Sequence, residues 1–497
     1  MERFLRLVLH DWRVKNTFYL KERLQKGLYR FIGHESFGGI LLFVCVIMAM
    51  ILANLPSTSE HYFSLWESKI TISFNDFYQE ITLIHLINDF LMSFFFLMVG
   101  LEMKREILYG DLMGFKKMSF SMFGALGGIV IPITIYLIFN HDLNSSVGFG
   151  IAMSTDTAFA LGVIFLLGKQ IPSVIKIFLV TLAVTDDLGA VAIIAIFYTE
   201  HIDIFWLSMA MASLLGLIYL NYKDTKYIFL YLIFGAFLWY STLLSGIHPT
   251  ISAVLLSFCI PGKTRLNKMY FQKMLQEWEK LDFEELSKVK DEVQGEGFFS
   301  SSKRAISKFF GNHQTQEIDI HKMSHYVHIL DSIGKYSHYA KNPLLGLEFA
   351  LQPICAYFIV PLFAFANGGV KITEGINLFC EPMMWGIMFG LVLGKPIGIL
   401  LFTYISEKLN ISIKPKGLSY KHILAVGFLA GIGFTMSMFV ATLAYEDEAM
   451  VDLAKLSVLF SSMVATLLGI VFLLFSTRKI HSRQDRRGRR RGYNTHF

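Results

Sequence analysis

The chain alternates long apolar windows with short polar breaks. About twelve windows suggest membrane spans, at about 37–55, 83–103, 119–140, 148–168, 173–198, 204–221, 226–243, 246–261, 347–367, 382–405, 420–444 and 453–476. A full crossing of a ~30 Å hydrocarbon layer wants ~20 residues. The sixth, seventh and eighth windows are the least well marked, and short or interrupted spans are what transporters with broken helices show. The pattern predicts an all-α polytopic membrane protein. A different period, two, runs through Lys69-Ile70-Thr71-Ile72-Ser73-Phe74 and predicts a strand in the loop after the first span.

The windows divide the chain into a cytosolic N-terminal segment (1–36), spans one to eight (37–261), a charged insertion (262–346), spans nine to twelve (347–476) and a basic tail (477–497). In the insertion Phe271, Met274, Leu275, Trp278 and Leu281 repeat at helical spacing. A second helix after Gln316 would carry His321, His325 and His328 on one face. No carboxylate or cysteine completes a ligand set with these histidines at fixed spacing, so a solvated helix face is the reading preferred over a metal site.

Composition agrees with the pattern. Of 497 residues, 54% are hydrophobic and 17% charged, a membrane profile rather than that of a soluble enzyme. The four cysteines have no CxxC spacing and suggest neither a disulfide framework nor a zinc site. The N-terminus alternates charged and apolar residues and shows no cleavable signal.

Charge adds the orientation. With the N-terminus inside, the outward loops and outer span ends contain Lys69, Lys371 and Lys455, Lys395 lies mid-span, and the remaining Lys and Arg fall on the cytosolic side. The tail carries Arg486, Arg487, Arg489, Arg490 and Arg491, whereas an outer loop reads Glu446-Asp447-Glu448. By the positive-inside rule both termini are cytoplasmic. The net charge of +6 then reports topology, and no nucleic-acid partner is expected.

Chemistry concentrates at the midplane. Asp186 and Asp187 lie near the middle of an apolar run from Ile177 to Tyr198. A carboxylate at that depth costs ~2.5–3.5 kcal/mol or more, and two adjacent ones repel each other. Such a pair points to a held cation or proton. The fourth span is interrupted by Ser154-Thr155-Asp156-Thr157, and the eleventh by Gly431 to Ser437 (GIGFTMS). Non-helical backbone at membrane depth is tolerated only where it is buried in protein or lines a wet cavity. Small and hydroxyl residues can also serve close helix packing, a reading that Asp156 makes poor for the fourth span. In the tenth span Lys395 is too deep to snorkel and needs a buried anion. Asp156, Asp186 and Asp187 lie at comparable depth, while Asp89 is nearer the outer end of the second span. Neighbouring helical residues point ~100° apart, so one of Asp186 and Asp187 can pair with Lys395 while the other lines a water-filled funnel.

The stretch Leu182 to Ala190 (LAVTDDLGA) resembles the core motif of NhaA-type sodium/proton antiporters. So do Thr155-Asp156 with Ala158 to Gly162, Phe94 to Glu106 (FFFLMVGLEMKRE), Ser245 to His248, Pro361 to Asn367, Gly394-Lys395-Pro396 and Gly431 to Ser437, in family order. The resemblance implies an inverted repeat relating spans three to five with ten to twelve, the fourth and eleventh crossing as broken helices. Inverted repeats of this kind place the ion site near the bilayer midplane.

The same resemblance implies roles. Asp187 matches the main cation- and proton-binding carboxylate, and Asp186 its neighbour paired with Lys395. Thr155 and Asp156 match the residues at the break, with Asp156 offsetting positive half-helix N-termini and Lys395 the negative C-terminal ends. Glu102, Arg105, Glu106 and Glu348 match a cytoplasmic pH-response region, and His248 matches too, although a packing histidine is the plain alternative. The chain departs from relatives at Phe349, Gln352 and Pro249.

The implied activity is export of sodium, and of lithium, against inward protons across a bacterial inner membrane. It would be electrogenic and pH-regulated, with no cofactor and no ATP-binding loop. A homodimer through the loop between spans one and two is implied as well. The alternative is a sodium-coupled symporter of a small anion, with Lys395 as the anion ligand. An intramembrane aspartyl protease would need neither adjacent aspartates nor a midplane lysine, and a passive channel fits poorly with a fixed acid–lysine pair.

Overall fold

The computed structural model describes residues 36–74, 77–109, 115–141, 143–168, 171–199, 202–223, 225, 227–262, 272, 342–372 and 380–492. Residues 1–35 and most of the insertion, including His321, His325 and His328, lie outside the described residues. The chain forms two compact units, Met1–Ile260 with Leu347–Phe497, and Pro261–Gly346. In the smaller unit the Asn342 side-chain amide donates to the Gly262 carbonyl at 2.6 Å, bringing the flanks of the insertion together.

In order along the chain the elements are α1 (Ser36–Asn54), α2 (Ser59–Glu67), β1 (Lys69–Phe74), β2 (Phe77–Thr82), α3 (Leu83–Tyr109), α4 (Phe115–Phe139), α5 (Asn144–Met153), α6 (Thr157–Leu166) and α7 (Ser173–Phe197). There follow α8 (Ile204–Tyr222), α9 (Ile228–Leu244), α10 (Thr250–Cys259), α11 (Pro343–Asn367), α12 (Pro382–Lys408), α13 (Tyr420–Ala430), α14 (Phe434–Ala444) and α15 (Glu448–Gly492). Among the described residues seven helices are long and apolar enough to cross a membrane, and up to ten spans result if each bent pair is one. One of those pairs, α1 with α2, bends by 111°, so α2 turns aside and does not extend the first span. Tyr62 anchors it by donating to the Phe365 carbonyl at 2.5 Å.

The strand appears where the alternation predicts it, paired antiparallel with β2 from Lys69 opposite Thr82 to Phe74 opposite Phe77. The eighth window is shorter than a span. Gly246 turns the chain in a left-handed conformation (φ +83°), which glycine adopts without steric cost. The helix therefore starts only at Thr250, and its ten residues rise ~15 Å, about half the hydrocarbon thickness.

The frame is set by α4 against α12, whose backbones meet. A Cβ on Gly127 would collide with the Gly398 carbonyl, and one on Gly398 with the Gly127 carbonyl. Small residues of this kind let helices approach where lipid supplies no hydrophobic drive. The last turn of α12 before Lys395 is widened to a π-turn over Gly390–Gly394. Pro396 follows, without a backbone N–H to donate. Such local adjustments mark functional positions in helices.

Candidate ion-binding site

Two broken helices cross at the centre. α5 and α6 bend by 40° around Ser154-Thr155-Asp156, and α13 and α14 by 49° around Gly431-Ile432-Gly433. A helix end leaves backbone donors and acceptors without intrahelical partners, and each break satisfies the other. The Asp156 amide donates to the Ile432 carbonyl at 2.6 Å. Ser437 donates its hydroxyl to the Ile151 carbonyl at 2.8 Å. The Thr155 hydroxyl lies 3.0 Å from the Ala430 carbonyl at the end of α13.

Asp156 serves both half-helix N-termini. Its Oδ1 accepts from the Phe159 amide at 3.0 Å, capping α6, and its Oδ2 accepts from the Thr435 amide of α14 at 3.1 Å. Because each carboxylate oxygen is engaged, Asp156 is a poor member of a protease dyad. Helix N-termini carry about +0.5 charge apiece. Two of them offset this one carboxylate.

Lys395 and Asp186 form the second compensated set. The ammonium is fully buried and donates to Asp186 Oδ2 at 2.5 Å and to the Thr155 hydroxyl. Thr155 reaches the same carboxylate oxygen at 2.5 Å, so its one proton is shared between Asp186 and the Ala430 carbonyl. Geometry thus selects Asp186, of the two adjacent aspartates, as the lysine's partner. The carbonyl end of α13 receives its hydrogen bond from Thr155, which Lys395 in turn contacts.

Asp187 is left. It is buried to 2% exposure, yet among the described residues it forms no ion pair within 4.0 Å. Its one described hydrogen bond comes from the Thr157 hydroxyl at a long 3.4 Å. Lys395 cancels Asp186 and two helix ends offset Asp156, so the cluster retains one uncompensated negative charge, on Asp187. That charge matches one monovalent cation or one proton. Thr157 was not singled out by sequence, because a threonine at the start of a half-helix is ordinary capping chemistry.

The second predicted cluster also assembles, across α3 and α11. Arg105 is its hub, with Nη2 at 3.6 Å from Glu102 and 3.1 Å from Glu106, and Nε at 3.1 Å from Glu348. His248 does not join it. Its Nε2 lies 3.6 Å from Asp89, its Nδ1 2.9 Å from the Thr250 hydroxyl, and its ring packs edge-on against Phe439. Asp89 precedes Glu102 by some four helical turns, or ~20 Å, so the histidine stands towards the other end of α3. The pairing with Asp89 was not legible from spacing.

Comparison with known proteins agrees with the arrangement. The family described as Na+/H+ antiporter 1 matches residues 29–473. The chain is 43% identical over 465 residues, 93% of its length and 98% of the relative's, to "Na(+)/H(+) antiporter NhaA 2" of Helicobacter hepaticus. It is 43% identical over 451 residues to "Na(+)/H(+) antiporter NhaA" of Wolinella succinogenes, covering 91% and 93% of the two chains. It is 44% identical over 452 residues to the protein of that name from Helicobacter pylori strain P12, covering 90% and 95%.

Proposed function

The chain belongs to the Na+/H+ antiporter 1 family, and we propose that it exchanges cytoplasmic sodium for external protons at Asp187, with Asp186 beside it. The observation that carries this reading is the single uncompensated carboxylate in an otherwise balanced cluster. Sodium and protons then compete for one group. Either neutralises it, and a neutral site can pass between inward- and outward-open states, whereas the empty charged site crosses poorly. The crossing breaks α5/α6 and α13/α14 supply the element that moves.

Lithium, with the same charge, fits the same site. The ion pair of Lys395 with Asp186 supports electrogenic exchange: a second proton that moves when this pair opens would give more protons than sodium ions per cycle. Glu102, Arg105, Glu106 and Glu348, linked through one guanidinium, support a pH response at the cytoplasmic end. His248 would contribute separately, through Asp89. The charge asymmetry of the loops supports an inner-membrane protein with both termini in the cytoplasm. The β1/β2 hairpin supports a homodimer, because a two-stranded hairpin alone is marginal and its free edges can pair with a second copy. A symporter of a small anion is disfavoured, since the ammonium of Lys395 is already taken by Asp186 and Thr155.

Asp187→Asn is the test. The amide keeps the shape and removes the charge, so sodium-driven proton movement in proteoliposomes should stop at every pH. Robust exchange by this variant, in a folded preparation, would sink the assignment.

A further inference from the structure

We propose that the Thr157 hydroxyl is a direct, neutral ligand of the transported sodium ion, sharing it with Asp187; this rests on Asp187 being the ion-carrying group. Hard cations are held by several oxygens, and a single carboxylate supplies too few of them. Among the described residues Asp186 Oδ1 has no hydrogen-bond partner, but it belongs to the carboxylate already balanced by Lys395, and the remaining side-chain oxygens are engaged. Asp156 accepts two backbone amides, and Asp186 Oδ2 accepts Lys395 and Thr155. Ser154 donates to the Gly150 carbonyl and Thr185 to the Thr181 carbonyl. Thr157 is different. It is only partly buried, it opens α6 just past the break, and its described side-chain contact is Asp187 at 3.4 Å.

A hydroxyl has one proton and two lone pairs. With the site empty, Thr157 donates a hydrogen bond to Asp187. With sodium present it can turn that proton away and offer a lone pair, with water completing the shell. With Asp187 protonated, the hydroxyl can accept from the acid. One side chain thereby serves all three states.

Thr157→Val keeps the branched shape and removes the oxygen, while Thr157→Ser keeps the oxygen. Sodium KM for exchange in proteoliposomes, together with equilibrium binding of radioactive sodium to the full chain, should show affinity falling about tenfold for Val, the scale of one lost contact to a charged group. The serine variant should stay within about twofold of the parent on the same scale. Wild-type sodium affinity in Thr157→Val would overturn the proposal, and a loss confined to the amount of folded protein would mean a structural role only. Should Val not fold, Thr157→Ala removes the same oxygen and is read by the same two outcomes. Asp187→Asn, run in parallel, separates the premises. If it still binds and exchanges sodium, the reading of the whole site fails; if it is dead while Val binds normally, the Thr157 ligand alone fails.

Discussion

At the scale of single residues, what matters is which buried charge has a partner. Breaking a buried pair by removing one member is costly, ~3–5 kcal/mol. Lys395→Ala should therefore lower the midpoint of thermal unfolding in detergent and weaken exchange, yet leave measurable sodium binding at Asp187. Asp156→Asn has a different signature. The amide can accept from one of the Phe159 and Thr435 backbone groups but presents N–H to the other, so ~1.5–3 kcal/mol of charge-assisted bonding is at stake. We expect slowed exchange with sodium affinity changed less than the rate, read from KM and maximal flux. Glu102→Gln and Glu348→Gln should shift the pH at which exchange switches on, with maximal rate little altered, because both surround Arg105 and not the midplane. Loss of sodium binding at all pH values would move them into the transport site. Depth alone made Asp156, Asp186, Asp187 and Lys395 legible in the sequence. It could not say that Lys395 faces Asp186, since that depends on the rotation of α7 against α12, nor that His248 would meet Asp89.

At the scale of elements, the two breaks stabilise each other through backbone bonds between chain segments far apart in sequence. Polar runs inside the fourth and eleventh windows revealed the interruptions, but not the bonds that complete them. The eighth window read as a span because apolar content runs through it. The turn at Gly246 shortens its helix, a backbone conformation that hydropathy does not register. The α2 helix went unread as well, because its nine residues sit between clearer signals. Packing makes a sharp prediction at this scale. Gly398→Val places branched carbon against the Gly127 carbonyl, and neither backbone can yield without parting α4 from α12. Little folded protein should be recovered, judged by monodisperse elution in detergent, while a substitution at Gly346, where an added Cβ meets nothing within 4 Å, should be tolerated.

For the whole molecule, the residues that balance charge all belong to the unit Met1–Ile260 with Leu347–Phe497. Deleting Lys263 to Tyr339 with a short flexible linker should leave exchange intact, and the hydrogen bond between Asn342 and Gly262 shows that the flanks are close enough to bridge. A stably inserted deletion protein without flux at any pH would make the insertion part of the transport machinery. The order of spans and the existence of this extra unit were legible from hydropathy and charge. Periodicity describes each helix by itself and could not say which side chains bond across hundreds of residues; the pairing of Asp186 with Lys395 was implied by the family resemblance alone.

The stitched centre has a consequence for how the protein is made. Asp186 must wait 209 residues of synthesis for Lys395, and Asp156 waits 279 for the Thr435 amide. At ribosomal speeds of ~5–20 residues per second, the first wait lasts roughly ten to forty seconds. For that time the nascent chain holds its aspartates in a membrane without their countercharges. A chain stopped before Lys395 never leaves that condition, so pulse-chase labelling should find it short-lived in cells, cleared by membrane proteolysis well before the full-length chain.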